Sequence, residues 1–256
     1  MKITYSIIAP IYNEIDNLPE LYRRVKEVMD SSGEPWELIL VDDGSTDGST
    51  DKIRELAQAD KTVRPVIFAR NFGHQVAITA GWDYARGDAI VIIDADLQDP
   101  PEVILELAKK WKEGYEVVYA VRGEREGESW FKKFTAAMFY RLIYSITDVK
   151  IPVDTGDFRL MDRKVVDVLK QMKERHRFPR GMSAWVGFRQ IGVTYKRAAR
   201  VAGVTKYPFR KMLKLALNAI TGFSYFPLQV ATYFGFFSAG VSILAIPLVA
   251  ILRLAG

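Results

Sequence analysis

The chain has 256 residues, enough for one large α/β domain with an appendage or for two small domains. It contains no cysteine and two histidines, which excludes a disulfide scaffold and a cysteine-based zinc site and argues against a histidine-rich metal site. The net charge of +5 is uneven: the first 174 residues carry −7, whereas the last 82 contain no Asp or Glu and carry +12, which predicts a membrane or nucleic-acid surface on the C-terminal side.

The N-terminal half alternates between short apolar runs and helical patterns, and no signal-peptide pattern precedes the first run. Strands that alternate with helices at this spacing predict a mostly parallel, three-layer α/β sheet. Asn17 and Glu20 have the spacing of a capping box. The predicted strands are Ile3–Ala9, Trp36–Val41, Val63–Phe68, Ile90–Asp94 and Glu116–Val121; the predicted helices run from Asn17 to about Gly33, over Lys52–Ala59, from about Arg70 to Tyr84, and from Pro101 to about Lys112.

Acidic and turn-forming residues follow the first, second and fourth predicted strands, and in such sheets ligands bind at the carboxyl edge. The fourth strand ends in Asp94-Ala95-Asp96. Residues two apart in an extended chain point the same way, so both carboxylates can face one ligand. Their oxygens suit Mg²⁺ or Mn²⁺ carrying a diphosphate. Taken alone, this stretch is equally compatible with a solvated acidic loop after a core strand.

The second half carries further elements and then a long uncharged stretch. We predict an amphipathic helix at Trp130–Ile146, an acid-bearing turn and short strand at Asp154–Leu160, a helix at Lys164–Met172, a helix near Trp185, a strand at Ile191–Tyr195, a basic loop at Lys196–Lys206 and an amphipathic basic helix at Tyr207–Phe223. If a membrane span follows it, such a basic helix is expected to lie in the interface with anionic headgroups; the alternative is a surface helix that packs on the soluble head.

Val230–Leu252 lies within a stretch without any charged residue, from Leu215 to Leu252, and is long and apolar enough to span a bilayer. Its proline, Pro247, is tolerable in a membrane helix. The alternative is a buried core helix. The hydropathy therefore favours a membrane over nucleic acid as the partner of the basic C-terminal side, and the basic flank predicts a cytosolic head.

Several common site patterns are absent from the sequence. No GxxxxGK[ST] loop occurs, no GxGxxG follows the first strand, and neither histidine stands in a nucleophile-elbow context. A sheet edge lined with carboxylates, a metal, and cationic residues further along the chain suit the binding and cleavage of an activated diphosphate.

Three motifs resemble the signatures of the inverting family 2 glycosyltransferases: Ile8–Glu14, Val41–Asp47 and Asp94–Pro101. Within that family the chain is similar to the polyprenyl-phosphate branch, which includes dolichol-phosphate mannosyltransferases and bactoprenol glucosyltransferases. Asp154–Leu160 and Arg200–Tyr207 most resemble the bactoprenol subgroup. The resemblance covers nearly the whole chain and implies the Rossmann-like GT-A fold.

The resemblance also implies roles for individual residues. The nucleotide sugar would be bound by Pro10, Tyr12, Glu14, Asp42, Asp94, Ala95, Asp96 and Arg122; the metal by Asp94, Asp96 and Gln98; and the acceptor phosphate by Arg200 and Lys206. Asp96 and Asp157 would be the catalytic residues, with Asp157 at the position proposed as base. The implied reaction is transfer of a hexose, with glucose from UDP-glucose favoured, to a polyprenyl phosphate, giving a lipid-linked sugar for cell-envelope glycans.

The chemistry bears on the role of Asp157. A phosphate monoester has a second pKa near ~6 and is mostly dianionic at neutral pH, so the acceptor needs little deprotonation. We therefore expect Asp157 to orient the sugar or the acceptor cations more than to remove a proton. Arg200 and Lys206 would draw the dianion from the headgroup layer and reduce its repulsion from the donor diphosphate.

Each residue also has an alternative interpretation. Asp42 and Asp43 could cap the following turn, and Gln98 could bond its own loop. Asp157 could be a structural cap. Arg122 could belong to a solvated charge cluster, and the two acceptor cations could be headgroup anchors.

Two other enzymes and one non-enzyme are also considered. A GDP-mannose-dependent mannosyltransferase fits the same motifs. A processive polysaccharide synthase would need a Gln-x-x-Arg-Trp pattern, which is missing. A membrane-tethered nucleotide-sugar sensor would not need the basic loop. Oligomeric state is left open.

The resulting domain prediction has three parts: a cytosolic GT-A catalytic domain at residues 1–206, an amphipathic juxtamembrane helix at 207–226 and a transmembrane helix at 229–253. By resemblance, at least one further span is expected beyond Gly256. The predicted location is the inner membrane, with the catalytic domain on the cytoplasmic face.

Overall fold

The computed structural model describes residues 2–123, 155–172, 174, 177–196 and 226–255. The chain divides into two compact units, the first made of Met1–Phe134 and Lys150–Lys206 and the second of Thr135–Val149 and Tyr207–Gly256. Several predictions fall outside the described residues: the helix at Trp130–Ile146, the basic helix at Tyr207–Phe223, most of the basic loop, and both acceptor cations, Arg200 and Lys206.

The described part of the first unit contains seven strands and six helices. The strands are β1 (Tyr5–Ile11), β2 (Trp36–Asp42), β3 (Val63–Ile67), β4 (Ala89–Ile92), β5 (Val117–Arg122), β6 (Thr155–Asp162) and β7 (Gln190–Tyr195). The helices are α1 (Leu18–Ser31), α2 (Ser49–Ala59), α3 (His74–Tyr84), α4 (Val103–Lys112), α5 (Arg163–Gln171) and α6 (Pro179–Trp185). The predicted alternation of strands and helices is confirmed.

The seven strands form one sheet in the order β3-β2-β1-β4-β6-β5-β7. Every described pairing is parallel except those of β6, which runs antiparallel to both β4 and β5. This is the mixed GT-A-like sheet that the resemblance implied. The short strand expected after an acid-bearing turn is an eight-residue strand in the middle of the sheet, so Asp157 lies within β6 and not in a turn.

Helices cover both faces of this sheet. The core on one face is formed by α1, α2 and α4 against alternate strand residues such as Ile7, Val91 and Leu160. On the other face α3, α5 and α6 pack together. A Cβ atom built on Gly81 of α3 would lie 2.4 Å from Cγ2 of Ile8 in β1, so glycine permits this close approach of helix and sheet.

Three local predictions differ from the structure. β1 extends to Ile11, which places Pro10 in a buried strand and not in the following loop. β4 ends at Ile92, before the acidic pair. Asn17 precedes α1, but its backbone is already helical (φ −88°, ψ −24°) and its side chain makes no capping hydrogen bond; its amide donates instead to Glu14 Oε2 at 2.7 Å.

The described part of the second unit is one helix, α7 (Phe226–Ala255). Its segment Leu228–Ala255 is long and apolar enough to cross a membrane by length and composition, because 28 residues at about 1.5 Å each span about 42 Å. The predicted span lies within this helix, and Pro247 lies inside it.

Candidate functional site

The sheet topology brings residues from five strands to one edge. Because β1, β2, β4 and β5 are parallel, their C-terminal ends share this edge, and the antiparallel β6 begins there. The β4–β6 register pairs Ala89 with Asp162 and Ile92 with Arg159. Continued by two residues, it sets Asp157 beside Asp94. A strand in the opposite direction thus carries a buried acid to the edge where the predicted metal ligands lie.

The loops after β1 and β2 are joined by hydrogen bonds between backbone and side chains. The Asn13 amide donates to Ser45 Oγ at 3.0 Å, and the Thr46 amide donates to Asn13 Oδ1 at 2.8 Å. The Glu14 amide donates to Ser49 Oγ at 3.1 Å. Asn13 has a left-handed backbone (φ 54°), a conformation that asparagine tolerates better than most residues. These hydrogen bonds hold the two loops together as one surface at the edge of the sheet.

The residues predicted to hold the nucleoside differ in accessibility. Tyr12 is 42% exposed and Pro10 is buried in β1. Asp42 is fully buried; its Oδ1 accepts from the Ser45 amide at 3.0 Å and its Oδ2 accepts from Thr50 Oγ1. The geometry therefore favours the turn-capping interpretation of Asp42, with Tyr12 as the accessible side chain of this group.

Asp43 joins the loop after β2 to the start of α3. Its carboxylate accepts from the amides of Phe72 (2.7 Å) and Gly73 (2.9 Å). Burial raises its pKa, although these two hydrogen bonds and the charge of His74 act in the opposite direction. Gly44 (φ 71°) lies against the same segment, since a Cβ atom there would be 2.5 Å from the Arg70 carbonyl carbon. These contacts fix the backbone that carries His74, so Asp43 binds a distant segment and does not cap the turn that follows β2, which was the alternative considered for it together with Asp42.

Asp94, Asp96 and Gln98 are half-buried, whereas the intervening Ala95 and Leu97 are buried. Asp94 and Asp96 were predicted to face one ligand from an extended strand, but they lie after the end of β4, where the backbone forms a tight turn. Leu97 has a left-handed conformation (φ 58°), which is strained for a branched residue, and Asp96 Oδ1 accepts from the Gln98 amide at 3.1 Å.

The donor atoms at this turn fit a hard divalent cation. Asp94 Oδ1 is buried and accepts no hydrogen bond from the described residues, and burial raises the pKa of Asp94 to about 6. Such an oxygen is satisfied when a cation binds it. No group of three acidic, histidine or cysteine side chains close enough for a metal occurs among the described residues. Mg²⁺ is commonly bound by one or two carboxylates together with substrate phosphates and water, so two acids and an amide remain compatible with it.

Asp157 is 2% exposed, and both of its oxygens are engaged. Arg180 Nε donates to Oδ1 at 2.7 Å and Arg180 Nη2 donates to Oδ2 at 3.1 Å. His74 Nε2 and Gln75 Nε2 lie 3.1 and 3.3 Å from Oδ2. Burial alone would raise the pKa of Asp157, but the positive charge of Arg180 and the hydrogen bonds hold it well below the usual range. The carboxylate is therefore ionised and held in place.

His74 lies between the two acids, with Nε2 at 3.1 Å from Asp157 and 3.5 Å from Asp94 Oδ1. Burial lowers its pKa, but the bond to Asp157 and the two carboxylate charges outweigh burial and raise it to about 9. Sequence reasoning missed His74 and Arg180. Their contacts are far apart in sequence, and the one local signal is that His74 directly follows Asn-Phe-Gly, a turn-forming stretch at the start of a helix.

Arg159 fixes the backbone around Asp157. It is 3% exposed, and burial lowers its pKa to about 10. It donates to the Gly156 carbonyl at 3.0 Å, to the Asp157 carbonyl at 3.4 Å and to Ser183 Oγ of α6. The start of β6 is thereby fastened to α6, the helix that carries Arg180.

Arg122 ends β5 at the same edge. Its Nε is buried without a hydrogen-bond partner, and a Cβ atom on Gly156 would lie 2.9 Å from its Nη2, so the guanidinium rests on glycine. Tyr195, whose hydroxyl donates to Asp99, lies beside it. The position of Arg122 at this edge suits the predicted contact with a phosphate of the donor, and that contact stays a prediction.

Comparison with known proteins gives a consistent result. The Glycosyl transferase family 2 profile matches residues 6–169. The uncharacterized glycosyltransferase YkcC of Bacillus subtilis is 58% identical over 252 residues, which are 98% of this chain and 78% of the relative. The bactoprenol glucosyl transferase of Shigella phage SfV is 44% identical over 244 residues, or 95% of this chain and 78% of the relative.

A solved structure shares the fold. The mannosyltransferase PcManGT of Pyrobaculum calidifontis, in complex with GDP-Man and Mn²⁺, matches with a TM-score of 0.54 at 20% identity, covering 83% of this chain and 60% of that chain.

Proposed function

Because this chain belongs to glycosyl transferase family 2 and is a glycosyltransferase, we propose that it transfers glucose from UDP-glucose to a polyprenyl phosphate with inversion at the anomeric carbon. The observation that carries the proposal is the 44% identity with a bactoprenol glucosyl transferase over 95% of the chain. The sheet edge supports it, because it gathers acids and cations that suit a nucleoside diphosphate.

The donor is held in two parts. Tyr12 faces the nucleoside, and Pro10, Glu14 and Asp42 shape the joined loops around it. Asp94, Asp96 and Gln98, beside the buried Ala95, would hold Mg²⁺ or Mn²⁺, and Arg122 would contact a phosphate of the donor. The metal would supply positive charge that stabilises the leaving diphosphate.

The acceptor phosphate is held by Arg200 and Lys206. One of its oxygens forms a bond to the anomeric carbon from the side opposite the nucleotide, while the bond from that carbon to the diphosphate oxygen breaks and its electron pair leaves with UDP. The acceptor is mostly dianionic above pH ~6, so the step needs no strong base. Asp157, with both oxygens engaged by Arg180, His74 and Gln75, holds these side chains in position and is not a proton acceptor.

The second unit anchors the enzyme. α7 spans the inner membrane, and the basic, acid-free C-terminal part of the chain contacts anionic headgroups on the cytoplasmic face. This places the catalytic unit where both a soluble nucleotide sugar and a membrane-bound phosphate are available.

The test is transfer of labelled glucose from UDP-glucose to a short polyprenyl phosphate by the full chain in detergent with Mg²⁺. We expect product with the wild type, loss of about 100-fold or more with Asp96→Ala, and no change with Asp51→Ala, an exposed acid on α2. Preference for GDP-mannose in a donor panel would identify a mannosyltransferase, and donor binding without transfer would identify a sensor. Either result contradicts the proposal.

A further inference from the structure

His74 contacts side chains from two different parts of the sheet edge. Its Nε2 lies 3.1 Å from Oδ2 of Asp157, on β6, and 3.5 Å from Oδ1 of Asp94, after β4. The carboxylates of Asp94 and Asp157, which both contact this ring, repel each other. With a hydrogen on Nε2, the imidazole donates to Asp157 and presents the same positive edge to Asp94. That arrangement holds for the neutral and for the protonated ring.

The position of the ring is set by the backbone on either side of it. Asp43, at the end of β2, accepts from the amides of Phe72 and Gly73, the two residues that precede His74. Gly73 has φ 103°, which a residue with a side chain rarely adopts. The first turn of α3 follows immediately. The contacts of Asp43, after β2, therefore fix the backbone of this segment, and the ring lies between Asp94, after β4, and Asp157, on β6.

Asp94 has the features of a metal ligand that another side chain must orient. Within the part of the chain that the structure describes, no group donates a hydrogen bond to its buried Oδ1, whereas part of the side chain is exposed at the edge. Metal-binding carboxylates are usually oriented by neighbouring groups, and loss of such a neighbour typically costs about 10- to 100-fold in metal affinity. His74 is placed to be that neighbour.

We infer that His74 is a positioning residue that orients Asp94 toward the divalent cation and connects it to the Asp157–Arg180 ion pair. The inference rests on the proposed function in one respect, the assignment of Asp94 as a metal ligand. It adds a connection between the two halves of the site, because one side chain contacts both Asp94 and the buried Asp157–Arg180 pair on β6 and α6.

The experiment measures Mn²⁺ alone binding to the full chain in detergent, from the electron paramagnetic resonance signal of free Mn²⁺. We expect His74→Ala to weaken binding about tenfold or more. His74→Gln, whose amide nitrogen reaches about as far as Nε2, should stay within about threefold of wild type, and the shorter His74→Asn should resemble alanine. The matched control is Gln58→Ala, an exposed glutamine on α2 away from the site, which should leave Mn²⁺ binding unchanged.

Turnover supplies a second readout. In His74→Ala, raising the Mn²⁺ concentration should restore most of kcat/KM, because the defect lies in metal affinity. A general structural role would lower kcat at every metal concentration. Thermal unfolding of each variant checks that the fold is intact, and the comparison of glutamine with asparagine decides the matter if the alanine variant does not fold.

Two outcomes have different meanings. If Asp94→Asn abolishes Mn²⁺ binding while His74→Ala and His74→Asn bind as tightly as wild type or more tightly, the positioning role is refuted and the metal site stands. If Asp94→Asn leaves Mn²⁺ binding unchanged, the metal assignment in the proposed function fails, and the role of His74 toward that metal fails with it.

Discussion

Asp157 shows how burial determines what a carboxylate can do. A general base needs an oxygen that reaches the proton it removes. Here Arg180 binds both oxygens, His74 and Gln75 share one of them, and the side chain is 3% exposed. An acid in this setting stays ionised and orders its neighbours. The same burial raises the pKa of the less well-paired Asp94, so two acids at one edge acquire different properties from their surroundings.

We predict that Asp157→Asn lowers the free energy of unfolding by about 3 kcal/mol or more, because it removes the buried negative charge to which Arg180 and His74 bind. Since the folded pKa of Asp157 is depressed, its stabilisation is fully present above the unfolded pKa of about 4 and is lost progressively as pH falls from there through the folded pKa. Urea unfolding at pH 7 and at about pH 2.5 measures both effects. Asp167→Asn, an exposed acid on α5, should change stability by less than about 0.5 kcal/mol.

The turnover of Asp157→Asn separates positioning from proton removal. If Asp157 positions its neighbours, the variant stays impaired at every pH from about 6 to 9, because the acceptor is already ionised. A steep recovery toward pH ~9 would instead indicate that hydroxide replaces a missing base, and would contradict the positioning role.

At the scale of elements, the loops after β1 and β2 and the segment before α3 form one framework. Gly44 lies where these segments meet: its φ is 71°, and the backbone of Arg70 and Asn71 packs directly against it. Gly33 has a similar φ of 68°, but no atom lies within 4 Å of a Cβ built there. A side chain at either glycine would therefore strain the backbone, but only a side chain at Gly44 would also clash with neighbouring atoms.

We predict that Gly44→Ala costs more stability than Gly33→Ala. Both lose about 1–2 kcal/mol from the left-handed conformation. Gly44→Ala must also displace the segment that leads to His74, so KM for the nucleotide sugar should rise, whereas Gly33→Ala should leave it unchanged. Urea unfolding and initial rates measure the two effects. Equal KM values in the two variants would show that the framework does not shape the donor site.

The sequence predicted the parallel strands because each is a short apolar run that ends in turn-forming residues. It did not predict the direction of β6. A run such as Phe158-Arg159-Leu160 carries no sign of which neighbour it will pair with, and Asp157 was therefore assigned to a turn. Nor could it find His74, whose partner Asp157 lies 83 positions away. The acidic pair was found because both members lie within four residues of the end of β4 at Ile92.

At the scale of the whole molecule, charge and hydropathy divide the chain. The first 174 residues are net acidic, and the remainder is basic and contains α7. The proposed function, in which a catalytic unit takes its acceptor from a membrane, requires both parts. Attachment to a bilayer would limit the search for the acceptor to two dimensions, while the donor would arrive from solution.

We predict that the double substitution Val241→Arg and Leu244→Arg in the middle of α7 releases the protein from the membrane. Each arginine raises the free energy of membrane insertion by about 2.5–3.5 kcal/mol at the centre of a span. Carbonate extraction of membranes measures the bound fraction. Leu254→Arg lies near the end of the helix, where the side chain can reach the headgroups, and should stay in the pellet. Retention of the double variant would show that α7 is not the anchor.

The reversed direction of β6 has a consequence for how the enzyme can diversify. Val121 of β5 pairs with Thr155 of β6, so the end of β5 and the start of β6 lie side by side at the edge that carries Asp94 and Asp157. Lengthening a connection between fixed ends costs little, about 0.6 kcal/mol for each doubling. Two strand ends fixed in this way therefore tolerate insertions between them without a change of strand register.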